Sequence, residues 1–194
     1  MSIKQGLLAL LAVEPMYGYQ LRQEFESRTG GTWPLNIGQV YTTLRRLERD
    51  GLVAGAGADD EGHARYELTG PGLAAVDGWW TTPVTRDAPA RDELAIKLAL
   101  AVTVPGVDVR GVVQRQRTET VRALQDYTRL KRREPGGDER DLAWTLVLDN
   151  LVFAAEAEVR WLDHVEARLA RWPAASAPAA AGATTSADAR EVAR

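Results

Sequence analysis

Cysteine is absent from the 194 residues, and only two are histidine. Without a thiol there can be no disulfide, thiolate zinc site or cysteine nucleophile, and a reducing, cytoplasmic setting is the natural expectation. The two histidines, His63 and His164, lie in different segments. No metal-ligand spacing, glycine-rich phosphate loop or serine nucleophile motif accompanies them. Asp163 and Glu166 next to His164 suit a surface helix, so neither an enzyme nor a cofactor or metal site is expected. Long apolar runs are missing too. Leu7–Val13 ends at Glu14 and Pro15 and is followed by an amphipathic segment rather than a small-residue cleavage site, which predicts a buried helix. Nowhere are there the roughly 18 apolar residues of a membrane span. Nor is there an excess of positive charge. A net charge of -3 and a pI near 5.5 exclude a uniformly basic coat, so any binding to nucleic acid must come from a local cluster.

Hydrophobic residues make up 45% of the chain, enough for a sizeable core in one or two domains. Ile3, Leu7, Leu8, Leu10 and Leu11 predict a first helix, stopped by Pro15. A second is expected from Gly18, with Tyr19, Leu21 and Phe25 at helical spacing, closed by Gly30-Gly31. After a turn at Trp33-Pro34, Asn36 caps a third helix that carries Ile37, Val40, Leu44 and Leu47 on one stripe and ends at Gly51. "LVAG" and "ARYELT", joined by "AGADDEGH", read as a hairpin, and Thr69 caps a fourth helix. Three helices, a hairpin and a helix within about 80 residues follow the order of a winged helix-turn-helix unit.

Thr81 to Pro89 has linker composition, and the chain beyond it is expected to be helical: a short helix ending near Pro105, a long one over Val107 to Arg133, and a last one over Glu139 to Trp172. The last carries Trp144, Leu148, Leu151, Ala155, Glu158, Leu162, Val165, Leu169 and Trp172 at alternating spacings of four and three, with only Glu158 polar. A seam this long predicts pairing between two chains, with Leu148, Leu151, Leu162 and Leu169 at the dimer interface. The alternative cover is antiparallel pairing with the helix over 107–133. The tail, rich in Ala, Pro and Ser, is expected to be disordered. The organisation is therefore mainly α with a small β-hairpin. It comprises a winged helix-turn-helix domain over 1–83, a helical, coiled-coil-like dimerisation domain over 84–172 and a tail over 173–194.

The stretch "GQVYTTLRRLERDGLV" brings three arginines into five positions. On a helix whose Val40, Leu44 and Leu47 face inward, Gln39, Thr42, Thr43, Arg45, Arg46 and Arg49 spread over the outer surface. A small, polar N-terminal half suits entry into a major groove about 12 Å wide, with Gln39 and the threonines near base edges and the arginines on phosphates or guanine. Alone, such a run is more often a solvated face, with Arg45 and Arg49 near Glu48 and Asp50. The hairpin that follows tips the balance, since a wing places His63 and Arg65 beside the same groove. Asp59, Asp60 and Glu61 at its tip would repel phosphate.

"YGYQLRQEFE", "NIGQVYTTLRRLERDGLV", "HARYELTGPGLAAVDGWW" and, more weakly, "DELAIKLAL" resemble the PadR-type transcriptional regulators, in order and spacing. The resemblance implies a homodimeric winged-helix repressor that binds a palindromic double-stranded DNA operator and, in some members, is released by a small aromatic effector. It implies a DNA face of Gln39, Tyr41, Thr42, Thr43, Arg45, Arg46, His63 and Arg65, supplied by the helix 37–50 and the wing 52–69. Tyr17, Gly18 and Tyr19 match the head of the family's second helix, where Tyr19 is expected mainly to pack. Of the six tryptophans, Trp144 and Trp161 are the candidates for an effector pocket, against the plainer alternative of core packing. The rival from another class is a winged-helix adaptor that docks a protein partner through its helical half.

Overall fold

The computed structural model describes residues 3–58, 61–85, 90–132 and 137–172. The tail 173–194 and the wing-tip residues Asp59 and Asp60 lie outside these, as does part of the linker over 86–89. Helix α1 (Ile3–Leu11) ends before Pro15 and buries Leu7, Leu8, Leu10 and Leu11. A two-residue strand, β1 (Met16–Tyr17), leads into α2 (Gly18–Arg28), whose start is held by the Tyr17 amide donating to Gln20 Oε1 at 3.1 Å. Gly30 and Gly31, at φ +58° and +68°, turn the chain out of α2, with the Gly31 amide donating to the Glu26 carbonyl at 2.7 Å.

The carboxylate of Glu26 then accepts from the Leu35 amide at 3.0 Å and from Arg22, pinning the turn before α3 (Ile37–Arg49). Those bonds, Arg22's first, hold the Glu26 carboxyl below its ordinary pKa. Asn36 caps α3 by accepting from the Gly38 amide at 2.7 Å. Gly51, at φ +71°, ends the helix as its position predicts. Val40, Leu44 and Leu47 are fully buried against α1 and α2. Strands β2 (Val53–Ala58) and β3 (Ala64–Leu68) pair antiparallel, with an irregularity between Gly55 and Ala58. β3 also pairs with β1, through Met16↔Tyr66 and Tyr17↔Arg65, so the wing is a three-stranded sheet of order β1-β3-β2 rather than a lone hairpin. Thr69 Oγ1 accepts from the Gly72 amide and donates to the Gly51 carbonyl, which ties α4 (Gly70–Thr81) to the end of α3. The winged helix-turn-helix order expected from the sequence is what the chain adopts.

The remaining described elements are α5 (Glu93–Ala101), α6 (Val109–Lys131) and α7 (Glu139–Arg171). α6 and α7 run antiparallel: Gln114 bonds Glu166, Arg117 bonds Asp163, Gln116 and Thr120 both donate to Glu158, and Lys131 pairs with Asp149. Leu162 at 0% exposure packs with Leu98 and Val113, and Leu148 is 2% exposed. The stripe assigned from sequence to an interface between chains is thus largely covered from within. Leu148 and Leu162 face the chain's own helices, while Leu151 and Leu169 are half-buried. The reason is that four-and-three spacing serves an intramolecular helical pair as well as an intermolecular one. Left exposed on α7 instead are Leu142, Leu146 and Phe153, at 60%, 61% and 68%.

The two halves meet where α7 lies on the C-terminal end of α2. Arg140 Nη2 lies 3.1 Å from both carboxylate oxygens of Glu24, which Arg28 also holds. The Trp144 ring rests directly on Gly30, where a Cβ would stand 2.0 Å from Cε3. Among the described residues no helix is long and apolar enough to cross a membrane.

Candidate nucleic-acid interface

With its apolar stripe sunk in the core, α3 turns its other side to solvent. Gln39, Thr42, Arg45 and Arg46 are exposed, while Thr43 is half-buried and donates to the Gln39 carbonyl at 2.8 Å. A shallow depression of about 640 Å³ is lined by Ile3, Asn36, Gly38, Gln39, Thr42, Thr43 and Arg46, so the N-terminal turns of α3 border open space. The three arginines differ in what holds them. Arg49 pairs with Asp50 at 2.9 Å, and that contact, Arg49's hydrogen bond above all, keeps the Asp50 carboxyl below its ordinary pKa. Arg45 makes one long bond, 3.4 Å from Nε to the Tyr41 carbonyl. Neither Arg45 nor Arg46 has a carboxylate partner among the described residues, so two of the three cations are uncompensated.

Tyr41 is 37% exposed, and its ring packs against Gly18, where a Cβ would come within 2.7 Å of it. Only glycine leaves room there, which explains why Gly18 stands between two tyrosines and couples the start of α2 to the face of α3. Beneath them, burial pushes the Tyr66 hydroxyl above its usual pKa, with Glu48 and Tyr41 adding to the shift. Tyr19, expected mainly to pack, is instead 46% exposed, with the Arg22 guanidinium 5.8 Å above its ring. It stands at the N-terminal turn of α2 as a further exposed aromatic that helical periodicity assigned to the interior.

The wing residues divide. His63 stacks on Tyr17 at 4.8 Å between centroids and 16° between planes, with Glu61 3.7 Å from its Nδ1. Arg65 is half-buried, and its Nη2 donates to the Pro15 carbonyl at 2.6 Å. That bond uses the guanidinium to tie β3 to the turn after α1, a role that sequence reasoning missed because the two residues lie 50 positions apart.

Trp144 and Trp161 are not brought together. Seventeen residues apart on one helix, they are separated by roughly 25 Å. Trp144 is committed to Gly30, and Trp161 is exposed. A single pocket lined by both within one chain is excluded by that spacing.

Residues 7–77 match the family described as the transcriptional regulator PadR-like family, and residues 90–170 match the C-terminal family described as virulence activator alpha. A probable transcriptional regulator of Mycobacterium tuberculosis is 26% identical over 181 residues, covering 85% of this chain and 96% of its own length. Among solved structures, the Vibrio cholerae virulence activator AphA is similar with a TM-score of 0.64 at 24% identity, over 88% of this chain and 99% of that one. Bacillus subtilis PadR in complex with operator DNA is similar with a TM-score of 0.65 at 20% identity, over 86% and 98%. The same protein in complex with p-coumaric acid is similar with a TM-score of 0.67 at 20% identity, over 87% and 98%. These likenesses in structure establish the fold.

Proposed function

We propose, from the premise that this chain belongs to the PadR-like family of transcriptional regulators, that it is a cytoplasmic, homodimeric repressor that reads a palindromic operator through α3. It is a regulator and not an enzyme. The observation that carries the DNA reading is the exposed face of α3, on which Arg45 and Arg46 stand beside Gln39 and Thr42 with no carboxylate partner among the described residues. A helix about 10–12 Å across fits a major groove about 12 Å wide, and Gln39 and Thr42 then lie where base edges are read while the arginines meet phosphates or guanine. His63 approaches the same duplex from the wing; Arg65 serves by holding β3 against the turn after α1.

A palindrome asks for two copies. The exposed apolar residues Leu142, Leu146 and Phe153 supply the face of α7 on which a second chain would be seated. In the dimer the two α3 helices stand about one duplex turn, roughly 34 Å, apart. Because α7 rests on the end of α2 through Trp144 and Arg140, a small aromatic or apolar effector that shifts the helical half would move α2 and α3 with it and release the operator. The Bacillus subtilis relative, solved both with operator DNA and with p-coumaric acid, supports this pairing of ligands.

The same exposed face of α7 also suits an adaptor that docks a protein partner. Salt separates the two readings, since phosphate contacts weaken log-linearly as salt rises whereas apolar docking does not. Selection of fragments bound by the full chain from the source genome tests the proposal. It is expected to enrich an inverted repeat with half-site centres one turn apart, and enrichment of no sequence at low salt would refute it.

A further inference from the structure

At the far end of the helical half from Trp144, α5, the start of α6 and the last turns of α7 enclose a groove of about 650 Å³. Leu98, Val102, Val165 and Leu169 line it, with Trp172 and Arg168. A second depression, of about 280 Å³, is lined by His164, Arg171 and the same Arg168 and Trp172, so an aliphatic trough opens directly onto a basic lip. The acids on the neighbouring turns are already engaged: Asp163 by Arg117 at 2.6 Å, Glu166 by Gln114 at 2.7 Å and Asp108 by the Gly111 amide at 2.9 Å. Arg168 and Arg171 have no carboxylate partner among the described residues; Arg171 donates only to the Ala167 carbonyl, at 3.1 Å.

We propose that this groove binds a small aliphatic monocarboxylate, with its hydrocarbon chain along Leu98, Val102, Val165 and Leu169 and its carboxylate on the Arg168 guanidinium. The volume lies within the range of small-molecule sites. The fork of a guanidinium matches a carboxylate with two parallel hydrogen bonds, and a second cation one turn away reinforces the same sign. An alkylammonium of equal length meets the opposite electrostatics and is rejected by the lip. An effector role for the ligand rests on the regulator reading above. It follows from geometry, because Leu98 and Leu162 share one core and a chain lodged between α5 and α7 would alter how α7 lies.

The test uses the full chain and octanoate, followed by calorimetry and by methyl resonances of Val102, Val165 and Leu169, with octylamine as its ammonium for comparison. Octanoate is expected to bind and shift those methyls, and octylammonium to bind at least tenfold more weakly. Arg168→Gln should weaken octanoate at least tenfold at an exposed position, and Ala99→Trp, at a further residue that lines the trough, should fill it and abolish binding. Absence of octanoate binding, equal binding of octylammonium, or indifference to both substitutions overturns the proposal. So do groove methyls that shift on dilution of the protein alone, or on deletion of 173–194, since they assign the groove to a second copy or to the tail. Operator binding measured on the same preparation keeps the two inferences apart. Protein that binds an operator and ignores octanoate refutes the groove alone, while protein that binds octanoate and enriches no operator refutes the regulator reading alone.

Discussion

Replacing Gly30 with alanine tests how the helical half is fastened to the winged half. Two costs are separable. Gly30 sits at φ +58°, where a residue with a Cβ pays roughly 1–2 kcal/mol in backbone energy. The new methyl would also stand 2.0, 2.3 and 2.4 Å from three carbons of the Trp144 ring, so the indole must leave or the helices must part, at roughly 1–3 kcal/mol for an overpacked contact. Gly31 is an internal control, because it too has a positive φ, +68°, but nothing lies within 4 Å of its added Cβ. Gly31→Ala should therefore cost only the backbone share and Gly30→Ala about twice as much or more, as read from urea unfolding. Trp144→Ala in the Gly30→Ala background should remove the clash, giving a coupling of roughly 1–3 kcal/mol in the double-mutant cycle. If effects at 30 and 144 add simply, or Gly30→Ala costs no more than Gly31→Ala, Trp144 does not rest on Gly30 and the proposed link to α2 fails.

Two further predictions concern stability and assembly. Glu26 has its pKa lowered in the folded chain, so its contribution is present above the ordinary glutamate range and lost as the pH falls through the lowered folded value; Glu26→Gln should flatten the acid limb of a stability-against-pH curve, and an unchanged limb would show that the bonds to Arg22 and Leu35 are not made. Phe153→Asp should yield a folded monomer in sedimentation with its helical circular dichroism intact, whereas Leu162→Asp should unfold the α6–α7 pair; the reverse pattern would return the dimer seam to the Leu162 stripe.

Much of the winged half can be read from local signals, because Pro15, Asn36, Gly51 and Thr69 each mark a boundary by their own chemistry. The strand β1 cannot, since two residues carry no periodicity and its partner lies some 50 positions away. The same holds for Arg65, whose destination is the Pro15 carbonyl, and for Trp144, whose destination is Gly30. Spacing along α7 shows that a stripe is buried without showing by what. The informative residue was Glu158, a carboxylate in an apolar stripe. It is satisfied by Gln116 and Thr120, four residues apart on α6, which sets the register of an internal pair. On α3 the adjacency of Arg49 and Asp50 was visible in the sequence, but that Arg45 and Arg46 meet no carboxylate among the described residues required the fold.

The central claim is that Arg45 and Arg46 meet DNA, and its most direct test is operator affinity measured by fluorescence anisotropy as a function of salt, for the full chain and for Arg45→Ala/Arg46→Ala. The two side chains are exposed, so the variant should keep its circular dichroism spectrum and its mass in solution. If all four arginines of a dimer neutralise phosphates, the slope of log affinity against log salt should become shallower by roughly 3–4, and affinity near 0.1 M salt should fall by orders of magnitude. If they read guanine instead, the preference for the operator over random duplex should collapse. Unchanged affinity, slope and preference would contradict the account and move the DNA face away from α3.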